Sequence, residues 1–289
     1  MTQASRPFIG ILLILSAMAI LPGIDVIAKL LGQQGMPITQ IVWARMFFGA
    51  ALTLPFALRQ GGMRALMPER PVFHTVRAGF LMLATFCFFS SLRFLPIADA
   101  LAIFFVQPLV LTALSPAFLG EKVGTRRWAA VAVGFAGTLI IIRPGLGGMN
   151  TGSLLALAAG TSLALYFLMT RRIAGSAPAL VTTFHTMLIG TIVASVLAAM
   201  VWVWPDGGQW LLFVGLGLIA ALGHYLITRA YDFAEASLLA PLAYTEMITS
   251  VALGWWFFGD FPDFWTFVGV GILISCAIYI SVRERKAAG

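Results

Sequence analysis

A few ionisable and aromatic residues of this chain sit inside long apolar stretches, where a charge is expensive and a polar group needs a partner. Glu246 lies about ten residues into one such stretch, and Arg45 about eight residues into another. A carboxylate at that depth can bind a ligand's ammonium or take up a proton. A guanidinium can hold a ligand carboxylate through two parallel hydrogen bonds. The same two side chains can also pair with each other, which would make them structural. Asp25 and Lys29 stand four residues apart, so on a helix they share a face and can form an ion pair. A gate near one mouth is the alternative use of that pair. His185 and His224 also fall within apolar stretches, where an interhelical hydrogen bond and a proton relay are both open.

Gln107 precedes Pro108, and Tyr244 follows Pro241. Each proline removes a backbone hydrogen bond, and the freed carbonyl is tolerated at membrane depth only against protein or a cavity. Kinks at Pro108 and Pro241 are therefore expected to line a central space. Tyr166, Trp43 and Tyr244 can stack on or bound a substrate side chain, and packing is their competing role. Glu246, Tyr244, Gln107, Arg45, Trp43, Tyr166, His185 and His224 form the candidate substrate set. The stripes Ala156–Gly160–Ala164, Gly217–Ala221 and Ala130–Gly134–Thr138 read as close helix packing.

The elements that carry these residues are apolar runs of about 20 residues, the length that crosses a hydrocarbon core about 30 Å thick. They fall at Phe8–Leu31, Pro37–Leu58, Val72–Leu92, Pro96–Phe118 and Arg127–Ile142. A break at Arg143-Pro144-Gly145 leads to Gly152–Thr170, Pro178–Trp204, Gln209–Tyr231, Ser237–Phe258 and Pro262–Val282. Sixty per cent hydrophobic residues, 10% charged residues and a mean hydropathy of +0.96 leave no room for a soluble domain. The fold class expected is an all-α polytopic membrane protein with ten transmembrane helices. Residues 1–145 form a first set of five and residues 146–289 a second.

With a cytoplasmic N-terminus, the inner loops hold most of the basic residues, among them Arg59, Arg64, Arg70, Arg77, Lys122, Arg126, Arg171 and Arg283. The outer side keeps Lys29, Arg93 and Arg143. Both termini are therefore expected to be cytoplasmic in a bacterial inner membrane. The net charge of +7 matches anionic lipid headgroups and needs no nucleic acid. Ser16-Ala17-Met18-Ala19 has the small residues of a cleavage site, but the apolar run continues past it, so the first span is expected to be retained. Cys87 and Cys276 lie in separate spans and make neither a metal spacing nor a disulfide framework. No cofactor motif is present.

The two sets repeat weakly. Ala98-Asp99-Ala100 corresponds to Ala234-Glu235-Ala236, and Leu119-Gly120-Glu121 to Phe258-Gly259-Asp260. Trp128-x-x-Val-x-Val-Gly134 likewise corresponds to Trp265-x-x-Val-x-Val-Gly271. Five spans is an odd number, so the second repeat must run through the membrane in the opposite sense. Inverted repeats are the arrangement by which secondary transporters alternate access.

With Leu119-Gly120-Glu121-Lys122, Phe258-Gly259-Asp260 and Pro241-Leu242-Ala243-Tyr244-Thr245-Glu246, the whole chain resembles the drug/metabolite transporter superfamily, and within it the EamA-type members. That resemblance implies a ten-helix carrier without ATP hydrolysis and a cavity between the repeats. The chain is most similar to amino-acid exporters, the aromatic amino-acid group included. A central acid, an arginine and aromatics also suit a zwitterion with a sizeable side chain. The expected function is export of amino acids or related metabolites. Export of organic cations or drugs is the alternative within the superfamily. A membrane enzyme lacks its motifs here: no His-Glu-x-x-His, Walker sequence or serine elbow occurs. An ion channel would want a ring of filter groups, which one chain with two halves does not offer. Oligomeric state is left open, a monomer being sufficient for a path between two repeats.

Overall fold

The structure is a computed structural model that describes residues 7–62, 70–120, 124–143, 150–172, 179–233 and 239–288. Every regular element among them is helical. Arg6, Arg64, Lys122, Glu235 and the glycines of the mid-chain break lie outside the described residues.

The first span is made of α1 (Pro7–Ile20) and α2 (Pro22–Gln33), with Leu21 between them and Pro22 at the start of α2. Then follow α3 (Ile38–Gly61), α4 (Pro71–Ser91), α5 (Ile97–Phe104), α6 (Gln107–Leu119) and α7 (Thr125–Ile142). The second half contains α8 (Thr151–Arg172), α9 (Ala179–Ala199) and α10 (Gly207–Phe233). A 3-10 segment, Ala240–Thr245, leads into α11 (Glu246–Phe258), and α12 (Phe264–Ala288) ends the chain.

Seven of these helices or helix pairs are long and apolar enough to cross a membrane, and α7 and α12 contribute shorter apolar stretches, Trp128–Ile142 and Phe264–Cys276. Both are shortened by flanking charge: Arg126 and Arg127 open α7, and Arg283 to Lys286 close α12. The remaining candidate is composite. Six 3-10 residues rising about 2.0 Å each and thirteen α-helical residues rising about 1.5 Å each reach roughly 31 Å, the thickness of the hydrocarbon core.

The expected proline breaks have a definite form. The stretch Ile97–Phe118 is interrupted at Phe105–Val106, with Pro108 at the second position of α6. Pro241 sits at the start of the 3-10 segment. Proline is tolerated there because its missing N–H is one of the orphans of a helix start. After each break comes a helix of thirteen residues, α6 from Gln107 and α11 from Glu246. Both end on a glycine in the left-handed region, Gly120 at φ 68° and Gly259 at φ 70°. An offset of 139 residues relates Gln107 to Glu246, Leu119 to Phe258, and Phe105 to Tyr244. The rings of Phe105 and Tyr244 touch, with centroids 5.0 Å apart. The two breaks therefore meet inside the bundle.

Packing crosses between the halves. Helix α3 lies along α9, α4 along α8, α7 along α12, and α10 along both α1 and α3. Small residues permit the closest approaches, as expected where lipid and core are equally apolar. A Cβ on Gly217 of α10 would stand 2.7 Å from the Phe48 backbone of α3. One on Gly160 of α8 would stand 2.6 Å from the Phe104 carbonyl oxygen, at the α5–α6 break. Glycine at 160 thus brings α8, with Tyr166 on it, against the central break.

Candidate functional site

Arg45 on α3 is the hub of the centre. It donates from Nη1 to Thr85 Oγ1 on α4 at 2.9 Å, and its guanidinium lies 5.8 Å from the centroid of Phe89. Asp25, Tyr166 and Glu246 all lie close enough to attract it. Asp25 and Glu246 are within electrostatic range of each other, and His224 of α10 is within range of Arg45. Side chains from α2, α3, α8, α10 and α11 therefore converge mid-membrane. Glu246 opens α11, where the unpaired N–H groups and the helix dipole favour negative charge. Asp25 is buried, while Arg45, His224 and Glu246 are half-buried.

Asp25 belongs here and not to a local pair. Lys29 does not bond Asp25; its Nζ is 2.6 Å from Asp260 Oδ2 and 3.4 Å from the Leu95 carbonyl oxygen. The four-residue spacing on α2 permits the local pair, but tertiary packing gives Lys29 a partner in Asp260 instead. Asp260, just past the end of α11, is fixed by its N–H bonding back to the Gly254 carbonyl.

Two further candidates also sit elsewhere. Trp43, two residues before Arg45, points to the opposite side of α3, because two residues turn a helix by about 200°. It donates to Ser195 Oγ at 2.9 Å and packs on Phe47 and Trp202. His185 packs against His74, with ring centroids 5.4 Å apart. Tyr244 is at the meeting of the breaks, and Gln107 is half-buried at the start of α6.

Around the Lys29–Asp260 pair is a cavity of about 410 Å³, lined by α2, the start of α3, the α4–α5 connection and Asp260. Phe89 forms part of its wall, and the Arg45 guanidinium lies 5.8 Å from the centroid of the same ring. At the same end Asp263 accepts from the Thr266 N–H at 2.9 Å and pairs with Arg143 at 2.5 Å, while Thr266 Oγ1 donates to Asp99 at 2.8 Å. Burial would raise the Asp263 carboxyl, but the Thr266 hydrogen bonds and the Arg143 guanidinium outweigh it and hold the group below its ordinary range.

At the other end of α4 the arginine is buried. Arg77, in the second turn of α4, is 1% exposed. It donates to Thr170 Oγ1 at 3.1 Å, the Thr182 carbonyl oxygen at 2.8 Å and Thr186 Oγ1, and lies 5.2 Å from the Tyr166 ring centroid. It ties α4 of the first half to α8 and α9 of the second. None of these partners is a carboxylate. Charge counting places Arg77 with the loop arginines, and the structure corrects this: it is a core residue. His74, one turn earlier, is 4% exposed. Both were missed because their partners lie about 90 to 110 residues further on. Tyr166 joins the two regions, since its ring centroid lies 5.2 Å from the Arg77 guanidinium and it is within electrostatic range of Arg45.

A helical bundle with ionisable side chains gathered inside its apolar spans and a cavity beside an ion pair at one end is laid out as a solute transporter. The sequence pattern of the EamA-like transporter family matches residues 8–143 and again residues 150–282, and the chain belongs to that family of membrane transporters. A riboflavin transporter of Rhizobium johnstonii is 28% identical, over 99% of this chain and 96% of that protein. An S-adenosylmethionine uptake transporter of Rickettsia felis is 26% identical, over 91% of this chain and 89% of its own. A pseudopaline exporter of Pseudomonas aeruginosa is 27% identical, over 87% and 88% respectively. A solved crystal structure shares the fold with a TM-score of 0.68 at 20% identity, covering 96% of this chain and 97% of that one. The similar transporters named here carry chemically different cargoes, so the family gives the class of protein and not the substrate.

Proposed function

We propose that the chain is a secondary carrier for metabolites bearing an α-amino-acid head group, free amino acids included. One observation carries this reading: Asp25, Arg45 and Glu246 lie within electrostatic range of one another. Arg45 matches a substrate carboxylate, and the two acids match an ammonium. The second acid gives the centre room for another positive charge on the substrate. S-adenosylmethionine, the cargo named for one relative, has such a head group and a sulfonium besides. Riboflavin has neither charge, so it would leave the ionic complement of this centre unused.

The mechanism is alternating access between two inverted five-helix repeats, residues 1–145 and 146–289. The equal half-helices α6 and α11 and their matching glycine caps support the repeat, as does the family pattern occurring twice. With the orientation expected from loop charge, the open Lys29 end faces the outside and the Arg77 end faces the cytoplasm. To open the latter, Arg77 must leave Thr170, Thr182 and Thr186 together, which separates α4 from α8 and α9.

Counterflow into proteoliposomes tests the substrate class. Radiolabelled methionine is offered against internal methionine, tryptophan, S-adenosylmethionine, riboflavin or tetraphenylphosphonium. Exchange with the first three and not the last two is expected. No methionine exchange with any internal solute, while labelled tetraphenylphosphonium exchanges against its unlabelled form, would make the protein a carrier of organic cations.

A further inference from the structure

The cavity around Lys29 and Asp260 is separate from the central charges, and its chemistry repeats theirs. Its volume of about 410 Å³ falls within the range of roughly 300–1,000 Å³ typical of small-molecule sites. Its lining holds two cations, Lys29 and Arg93, one acid, Asp260, and the amide of Gln33, with Phe89 and Phe94 as aromatic walls. Arg93 and Gln33 are exposed, and no carboxylate engages Arg93 among the described residues. Lys29 is held on Asp260 with its ammonium 4.7 Å from the Phe258 ring centroid. A bound zwitterion would add charge of both signs where both are already complemented. Its carboxylate fits between Lys29 and Arg93, and its ammonium fits beside Asp260.

Phe89 gives the cavity its relation to the centre. The ring is 2% exposed, forms part of the cavity wall, and has the Arg45 guanidinium 5.8 Å from its centroid. A rotation of this one side chain would open a way from the cavity towards Arg45. We propose that the Lys29–Arg93–Asp260 cavity is a second binding site for the same amino-acid head group, a vestibule from which substrate passes Phe89 to reach Arg45. The proposal rests on the reading of the central cluster given above, and adds a site that is loaded independently of it.

Equilibrium binding of radiolabelled methionine to the purified full-length protein in lipid nanodiscs tests this. The wild type is expected to bind two methionines per chain. Glu246→Gln should retain one, and Lys29→Gln should retain one. Lys29 is largely buried, so its variant can lose binding through misfolding. Arg93→Gln is the control: an exposed residue whose loss leaves the fold intact and weakens one class of site about tenfold, the loss expected for one charged hydrogen bond. One site in the wild type, abolished by Glu246→Gln and unmoved by Arg93→Gln, would overturn the vestibule and leave the central reading standing. One site weakened by Arg93→Gln and kept in Glu246→Gln would overturn the central reading instead. No saturable binding at all would overturn both.

Discussion

Arg77 and Lys29 are both basic, both fall within apolar helices, and both are tied to a partner far along the chain. Lys29 meets a carboxylate at the edge of a cavity, where each side chain keeps some access to solvent: 11% for Lys29 and 30% for Asp260. Arg77 is sealed in, and its donors end on hydroxyls, a carbonyl and an aromatic face. The first arrangement suits a surface that exchanges its partner for a solute. The second suits a closed contact between the halves, where five fixed donors hold three acceptors on two helices at once. One end of this molecule is built to receive charge and the other to exclude it. The centre lies between them, with Phe89 on one side and Tyr166 on the other.

The sharpest way to break the comparison is at the dry end. Arg77→Ala removes a buried stem and several charge-assisted hydrogen bonds, and should cost about 2–4 kcal/mol of unfolding free energy in bicelles. Thr170 and Thr186 still bond the carbonyls of Tyr166 and Thr182, so the loss should not be larger. Arg77→Lys should recover part of the stability but not the three-way link. A cost for Arg77→Ala below that of Lys29→Ala would contradict the assignment of dry and wet ends.

Lys29→Ala comes next. It strands a partly exposed carboxylate, and about 1–2 kcal/mol is expected. The effect should shrink in 1 M salt, where the screening length is about 3 Å, while the Arg77 effect should not.

The smallest effect belongs to Arg143→Gln. Both members of the Arg143–Asp263 pair are more than a third exposed, so at neutral pH the cost should be about 0–1 kcal/mol. Asp263 is held below its ordinary range, so the pair stabilises the fold above the unfolded carboxyl value of about 3.9. That contribution is lost as pH falls through the lower, folded value. Wild type and Arg143→Gln should therefore converge in stability only in that acidic window, and a difference that grows as pH falls would contradict it.

The apolar spans were legible from sequence because membrane depth imposes a length on every helix. Glu246 and Arg45 were legible for the same reason, since a charge far from both ends of a span is conspicuous. Asp25 and Lys29 were misread by a rule that is sound locally: residues four apart on a helix can pair, but the sequence does not say that Asp260 and Arg45 are nearer. Trp43 was grouped with Tyr166 and Tyr244 as an aromatic able to bound a substrate, although helical geometry alone sets it on the opposite face of α3 from Arg45. Arg77 was hidden by its neighbours, Arg64 and Arg70, which made it look like one more loop charge. The proline breaks were expected at Pro108 and Pro241, yet the prolines do not correspond between the halves. What corresponds is the residue that restarts the helix, Gln107 in one half and Glu246 in the other.

That difference between Gln107 and Glu246 is also the most direct route to the central claim. Initial rates of methionine counterflow should be compared in proteoliposomes holding wild type, Glu246→Gln and Gln107→Glu at equal density. Losing a charged hydrogen bond to the substrate ammonium should lower exchange in Glu246→Gln by about 10- to 100-fold. Gln107→Glu should fall less, because it leaves Asp25, Arg45 and Glu246 in place. Exchange by Glu246→Gln within twofold of wild type would contradict the account, because the mid-membrane acid would then be structural and the substrate site would lie elsewhere.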